Sequence, residues 1–113
     1  VRVSQLNGCR FCVDLNSATL AQRAGGMAKV EALEHWRTGD LYSPAERAAL
    51  DYTEAMTITG QGVTDDLMAE LRRHFTDDAV IELTGLAAFQ NLSSKFNSAL
   101  DVPAQGFCRR PGK

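Results

Sequence analysis

Two thiols three residues apart, Cys9 and Cys12, stand in the run Leu6-Asn7-Gly8-Cys9-Arg10-Phe11-Cys12-Val13-Asp14-Leu15-Asn16. If a helix begins between them they become neighbours and can close and reopen an intramolecular disulfide. A helix starting near Arg10 puts both in its first turn, where backbone N–H groups lack intrahelical partners and the peptide dipoles favour an anion. Arg10 adds a positive charge, so a lowered thiol pKa is expected for at least one of the pair. Such a thiolate can attack a peroxide O–O bond to give a sulfenic acid, which the second thiol condenses with before over-oxidation. The same spacing serves thiol–disulfide exchange.

The plain alternative is a pair of small core residues, since cysteine is among the most buried types. A CxxC directly after a glycine helix break favours the redox use. Zinc normally needs four ligands, and the remaining candidates, His35, His74 and Cys108, are scattered with no second ligand pair. No metal and no cofactor is therefore expected. Asn16 falls one turn beyond Cys12 on the same helix face, able to hydrogen-bond a thiol or water but not to carry a proton near neutral pH. Asp14 is expected to point away from Cys12 into solvent, His35 and His74 to be solvated, and Cys108 to be a spare thiol in a mobile tail, with a resolving or inter-subunit role as its alternative.

The elements that must position these groups read as helices throughout. Residues 1–6 look like a helix end stopped by Asn7-Gly8. A second helix is predicted from Arg10 to Ala24, closed by Gly25-Gly26, and a short segment from Ala28 to Trp36 sets Val30, Leu33 and Trp36 on one side. Ser43-Pro44-Ala45-Glu46 is a capping box with proline at the first helical position. The helix it opens carries Ala45, Ala48, Ala49, Tyr52, Ala55 and Met56 at about 3.6-residue spacing and ends at Gly60-Gln61-Gly62. Thr64 opens a fifth helix with Leu67, Met68, Leu71 and Phe75 facing in, and Thr76-Asp77-Asp78 a long last one to about Leu100. From Val80 to Leu92 that helix is apolar on nearly every side, with Gly85 expected to permit close approach, so it must be central or lie at a subunit interface. An extended tail is expected after Val102-Pro103.

At 113 residues the chain fits one domain with one core. Hydrophobic residues at 44% and charged residues at 23% are ordinary for a globular protein. Twelve basic against fourteen acidic residues give a net charge of −2, which does not point to nucleic acid or an anionic membrane as partner. Apolar runs fall short of a membrane span. Three cysteines, a close pair and a single, fit a reducing compartment better than a secretory framework, and the cytoplasm is the expected location. The opening at Val1, in mid-pattern, leads us to expect residues upstream.

Residues 4–16 resemble the active-site segment of the alkylhydroperoxidase D (AhpD)-like members of the carboxymuconolactone decarboxylase superfamily. The resemblance extends to Trp36-Arg37, to Ser43-Pro44-Ala45-Glu46-Arg47-Ala48-Ala49-Leu50, and to the last helix with Asn91 and Phe96-Asn97. It implies an all-α domain of about six helices that assembles as a homo-oligomer, a trimer or hexamer. It also implies a dithiol site that reduces hydroperoxides or exchanges disulfides, re-reduced by a dithiol partner, with Cys12 as the peroxidatic thiol and Cys9 as the more accessible, resolving one. The family's proton relay adds a Glu twelve residues before the first cysteine, a position upstream of Val1, and a His where this chain has Asn16. Without that imidazole the expectation is a slow peroxidase, or a dithiol site whose oxidant is not a simple alkyl hydroperoxide. The competing readings are a helical oligomer that has lost catalysis and serves as a binding or assembly module, and a decarboxylase-type enzyme.

Overall fold

A computed structural model describes residues 1–23 and 27–108. Its elements are α1 (Arg2–Leu6), α2 (Arg10–Arg23), α3 (Ala28–Ala32), a 3₁₀ turn (Leu33–His35), α4 (Pro44–Thr57), α5 (Asp65–His74) and α6 (Asp77–Ala99), with no strand among the described residues. The predicted closure of α2 at Gly25-Gly26 and the end of the tail lie outside the described residues. Three helix starts follow from their capping residues. The Ser43 hydroxyl accepts from the Glu46 N–H at 3.1 Å while the Glu46 carboxylate accepts from the Ser43 N–H at 3.0 Å, with Pro44 at the first helical position. The Thr64 and Thr76 hydroxyls cap α5 and α6 by accepting from Leu67 and Ala79.

Two apolar clusters hold these elements. Ala48, Tyr52, Leu71 and Val80 join α4, α5 and the start of α6, with Met56, Leu67, Met68, Phe75 and Leu83 packed around them. Leu33, Trp36 and Tyr42 form the second, against Val1, Ala32 and Leu50. Beside it, the buried Glu54 carboxylate accepts from Trp36 Nε1 at 2.7 Å, Arg2 Nε at 2.8 Å and Arg37 at 3.1 Å. Arg37 stacks over the Trp36 ring, 4.4 Å from its centroid. This hub ties α1 and the 3₁₀ region to α4. It explains how a five-residue helix too short to persist alone is held in contact with α2, α4 and α6.

The long helix departs from expectation in an informative way. Only its first half contributes to the core, through Val80, Leu83 and Ala87. Further along, the inward side is polar, and the apolar residues Ile81, Leu86, Phe89, Leu92, Phe96 and Leu100 are all exposed, Phe89 at 67%. Gly85 lies on this open side, and a Cβ there would meet nothing within 4 Å. Among the described residues the close approach expected of Gly85 is therefore not made, because none of their other helices crosses α6 on that face.

Burial on its own would raise the Glu54 pKa, but its three donors outweigh burial and hold it below the ordinary value of 4.5. A carboxylate whose pKa is depressed by folding stabilises the fold above its unfolded pKa, and that stabilisation is lost as pH falls through the folded value. Urea unfolding of Glu54→Gln at neutral pH should show a loss of about 3 kcal/mol from breaking a buried ion pair. Below about pH 5 its stability should decline less steeply than that of the wild type. Parallel acid profiles for the two proteins would refute the role given to this carboxylate.

Candidate active site

The dithiol is built on a chain reversal. Helix α1 ends in a paired-turn cap: the Gly8 N–H donates to the Gln5 carbonyl at 3.1 Å and the Cys9 N–H to the Ser4 carbonyl at 3.0 Å. This cap needs a left-handed residue, and Gly8 supplies it at φ +67°. The residue that completes the cap of α1, Cys9, is also the N-cap of α2. Its carbonyl accepts from the Val13 N–H at 2.9 Å, and its sulfur accepts from the Cys12 N–H at 3.1 Å. Cys9 and Cys12 are joined in a disulfide with their Cα atoms 5.3 Å apart. The pair thus comes together in the first turn of a helix, as the spacing predicts, and both residues are buried.

The two sulfurs face different surroundings. Cys12 Sγ lies against α6, 3.6 Å from the Asn97 amide nitrogen, which donates to it, and 4.0 Å from the Ser93 hydroxyl. Cys9, by contrast, lines a cleft of about 450 Å³ with Gly8, Val13, Met27, Val30 and Cys108. The Arg10 guanidinium is not aimed at the sulfurs: it pairs with Asp101 at 2.8 Å, and both side chains are exposed. The anion-favouring influence on the pair therefore comes from the helix terminus and from Asn97. Ser93 was not singled out in the sequence, and Asn97 only within the resemblance. Their i, i+4 spacing in an otherwise apolar helix is the signal that identifies a polar inner stripe.

Asn16 does not bond either sulfur. Its amide donates to the Ser4 hydroxyl at 3.4 Å, and Ser4, fully buried, also accepts from Gln90 of α6 at 2.9 Å. A neighbouring set continues the polar layer. The Asn7 amide donates to Asn91 at 2.9 Å and to Ser94 at 2.8 Å, and Asn91 donates to Thr57 of α4 at 3.1 Å. The space behind the dithiol is therefore filled by amides and hydroxyls, groups that hydrogen-bond but do not change protonation state near neutral pH.

Two expectations need correction. Asp14 is buried rather than solvated: its carboxylate accepts backbone N–H bonds from Cys108 at 2.7 Å, Gln105 at 2.8 Å and Phe107 at 3.0 Å. Cys108 is accordingly held, not loose, with Sγ 3.9 Å from Met27 Sδ. The cause is the irregular backbone at 105–108, whose consecutive N–H groups find no helix or strand partner and converge on one anion. Burial would raise the Asp14 pKa, but these amides outweigh it and hold the carboxyl below its usual value. Phe107 packs edge-on to Phe11 of α2, centroids 6.3 Å apart, which fastens the same segment. Of the histidines, His35 is exposed as expected, while His74 is half-buried and 3.1 Å from Glu70. Among the described residues no three His, Cys, Asp or Glu side chains gather as metal ligands.

The all-helical arrangement of the described residues matches an AhpD-like fold. The sequence model of the carboxymuconolactone decarboxylase family matches residues 1–55, which contain the whole α1–α2 junction. Over these residues the chain is similar to that family. It is 47% identical over 112 residues to the uncharacterized protein YnjA of Escherichia coli, covering 99% of this chain and 62% of that one. It is 34% identical over 84 residues to the uncharacterized protein YdfG of Bacillus subtilis, covering 74% of this chain and 57% of that one. The chain thus spans about three-fifths of the length of these curated relatives. Among solved structures it superposes with a TM-score of 0.84 on a protein of unknown function from Agrobacterium tumefaciens, proposed there as an antioxidant defence protein AhpD. That similarity has 28% identity and covers 91% of this chain and 71% of the other.

Replacing Asp14 with Asn keeps the side chain's shape but removes its charge and turns one of its two accepting oxygens into a donor. Hydrogen bonds to a charged group contribute about 1.5–3 kcal/mol against about 0.5–1.5 for neutral ones, and a 1.4 kcal/mol difference is tenfold. Amide exchange at Gln105, Phe107 and Cys108 should therefore speed up at least about tenfold in Asp14→Asn. Unchanged protection at those three amides would mean that Asp14 does not hold the tail.

Proposed function

We propose that this protein is a thiol oxidoreductase whose working group is the Cys9–Cys12 pair, of the alkylhydroperoxidase-like, antioxidant kind. The observation that carries the reading is the disulfide at the α1–α2 junction, with one sulfur on a cleft and the other on a polar wall. In the oxidative half, the Cys12 thiolate attacks the outer oxygen of a hydroperoxide. The O–O bond breaks, the alkoxide takes a proton and leaves as alcohol, and Cys12 becomes a sulfenic acid. Cys9 then attacks that sulfur and water leaves, giving the disulfide. In the reductive half, a dithiol partner attacks Cys9, Cys12 departs as thiolate, and the partner's second thiol releases Cys9 while the partner becomes a disulfide.

The cleft favours the exchange half in particular. Both cysteines are almost fully buried, so Cys9 is not the more exposed one as the resemblance implies. It alone of the two lines the cleft and would be approached from there, and the sulfur that must leave is the one beside the Asn97 amide. The absence of an imidazole at Asn16 bears on the other half, because the departing alkoxide needs a proton that an amide does not supply. Disulfide substrates thus suit the site at least as well as alkyl hydroperoxides. The dithiol reductant this cycle requires fits a reducing, cytoplasmic setting. Among the described residues no helix is long and apolar enough to cross a membrane.

In thiol titration, stoichiometric oxidant should remove Cys9 and Cys12 together, and a dithiol should restore both. Cys12→Ser should reduce hydroperoxide turnover to background, and Asn16→His should raise the wild-type rate if proton delivery limits it. Full turnover by Cys12→Ser would end the mechanism. Unreactive thiols near neutral pH would favour the binding or assembly module instead.

The reading extends to assembly as a homo-oligomer, a trimer or hexamer. Ile81, Phe89, Leu92, Phe96 and Leu100 recur at helical spacing along one exposed side of α6, and burying each such side chain contributes about 1.5–3 kcal/mol. The double variant Phe89→Glu/Phe96→Glu should elute as a folded monomer with an unchanged helical spectrum, whereas the wild type elutes as the oligomer. A wild type that is monomeric by light scattering at micromolar concentration would remove this part of the proposal.

A further inference from the structure

We propose that Cys108 is an internal exchange thiol for the Cys9–Cys12 disulfide, able to close a Cys9–Cys108 bond and set Cys12 free. The inference rests on the redox reading of the pair but adds a third sulfur to it. Cys9 and Cys108 line the same cleft, and Cys12 is absent from its described lining. Cys108 is brought there by a specific device: its own N–H is bonded to Asp14, which lies two residues beyond Cys12 on the helix that carries the pair. The Phe107 ring on Phe11 fastens the adjoining residue. The Cys108 sulfur meets the Met27 thioether, a weak and uncharged partner that does not compete with a reaction at sulfur. Residues 102–108 contain no helix or strand, so bringing Cys108 to Cys9 loosens hydrogen bonds of the Asp14 clamp but unwinds no element.

The step balances without an outside oxidant. Cys108 releases its proton to water in the cleft, and its thiolate attacks Cys9 Sγ. The Cys9–Cys12 bond breaks, the Cys9–Cys108 bond forms, and the electron pair goes to Cys12 Sγ. That sulfur accepts the Asn97 N–H and recovers a proton from solvent. One disulfide and one thiol stand on each side. The disulfide moves from a buried junction to the tail, and Cys12 regains the thiol it needs for a further oxidative attack.

The test uses the full chain, non-reducing peptide mapping and alkylation with N-ethylmaleimide. Oxidised Cys12→Ser should contain an intrachain Cys9–Cys108 linkage as its main disulfide, whereas Cys9→Ser should not link Cys12 to Cys108 at a comparable rate. Oxidised wild type, trapped briefly, should show alkylated Cys12 together with the Cys9–Cys108 peptide, and Cys108→Ser should show neither while keeping Cys9–Cys12. If Cys9 and Cys108 both stay alkylatable in a folded Cys12→Ser, and the trapped wild type contains Cys9–Cys12 alone, the relay is wrong and the redox pair stands. A Cys9–Cys108 linkage found only between two chains on a non-reducing gel would also overturn it. If oxidised wild type forms no Cys9–Cys12 disulfide, the underlying redox reading is what has failed.

Discussion

One residue, Cys9, completes the cap of one helix and begins the next, and the rest of the site depends on that double duty. The α1 cap fixes where the Cys9 backbone lies, and its N-cap role fixes where its sulfur points, toward the N–H of Cys12. Dithiol geometry is thus a by-product of satisfying backbone groups that two helix ends would otherwise leave bare. Gly8 is what permits it. A Cβ at that position would have room, its nearest neighbour being Ser98 Oγ at 4.0 Å. The obstacle is the backbone, since a left-handed conformation costs an L residue about 1–2 kcal/mol. The reversal also carries the chain directly from α1 into α2, so that both helices pack on α6 and the sulfur of Cys12 meets its polar stripe.

Helix α6 pays for this arrangement with an inverted second half. Its inner side presents Gln90, Asn91, Ser93, Ser94 and Asn97 to α1, α2 and α4, and its outer side presents large apolar groups to solvent. A polar layer inside a small domain contributes less than hydrocarbon would. It must also be fully paired, because each unsatisfied buried group costs about 1–3 kcal/mol. Among the described residues no buried side-chain nitrogen or oxygen lacks a partner. The apolar groups displaced to the outer face are the natural counterpart of that choice, because hydrophobic area left out of the core remains available for burial against another copy.

Much of this was legible in advance, for identifiable reasons. The helix starts at Ser43, Thr64 and Thr76 are local events, decided by a side chain and backbone N–H groups two or three residues away, and the sequence contains both. The Cys9–Cys12 pair is local in the same sense. What escaped were the contacts made across long stretches of chain. Asp14 reads as a solvated helix residue until the backbone from 105 to 108 returns to it. Arg10 reads as a neighbour of the thiols until Asp101 claims it. Gly85 reads as a packing glycine, but which side of α6 is covered is decided by the placement of α1, α2 and α4. Along α6 itself only the spacing of Ser93 and Asn97 marks the covered side, and nothing near Gly85 does.

The division between the two sulfurs limits what the pair can do. Cys12, held against Ser93 and Asn97, gains a hydrogen bond when it carries charge, but it is removed from the cleft. Cys9 borders the cleft, and its sulfur accepts the Cys12 N–H, a donor at the positive end of α2. In the proposed exchange, attack on Cys9 expels the Cys12 sulfur, which has the Asn97 amide beside it to receive the charge, and a stabilised leaving thiolate makes exchange faster. In the proposed peroxide reduction the order reverses, and the oxidant must reach Cys12, which lies outside the cleft lining and against Ser93 and Asn97. The Ser4–Asn16–Gln90 hydrogen bonds occupy the space behind that sulfur without offering a titrating group. Within the proposed cycle, disulfide exchange is therefore the half that asks least of these residues, because it needs no proton from the Asn16 position.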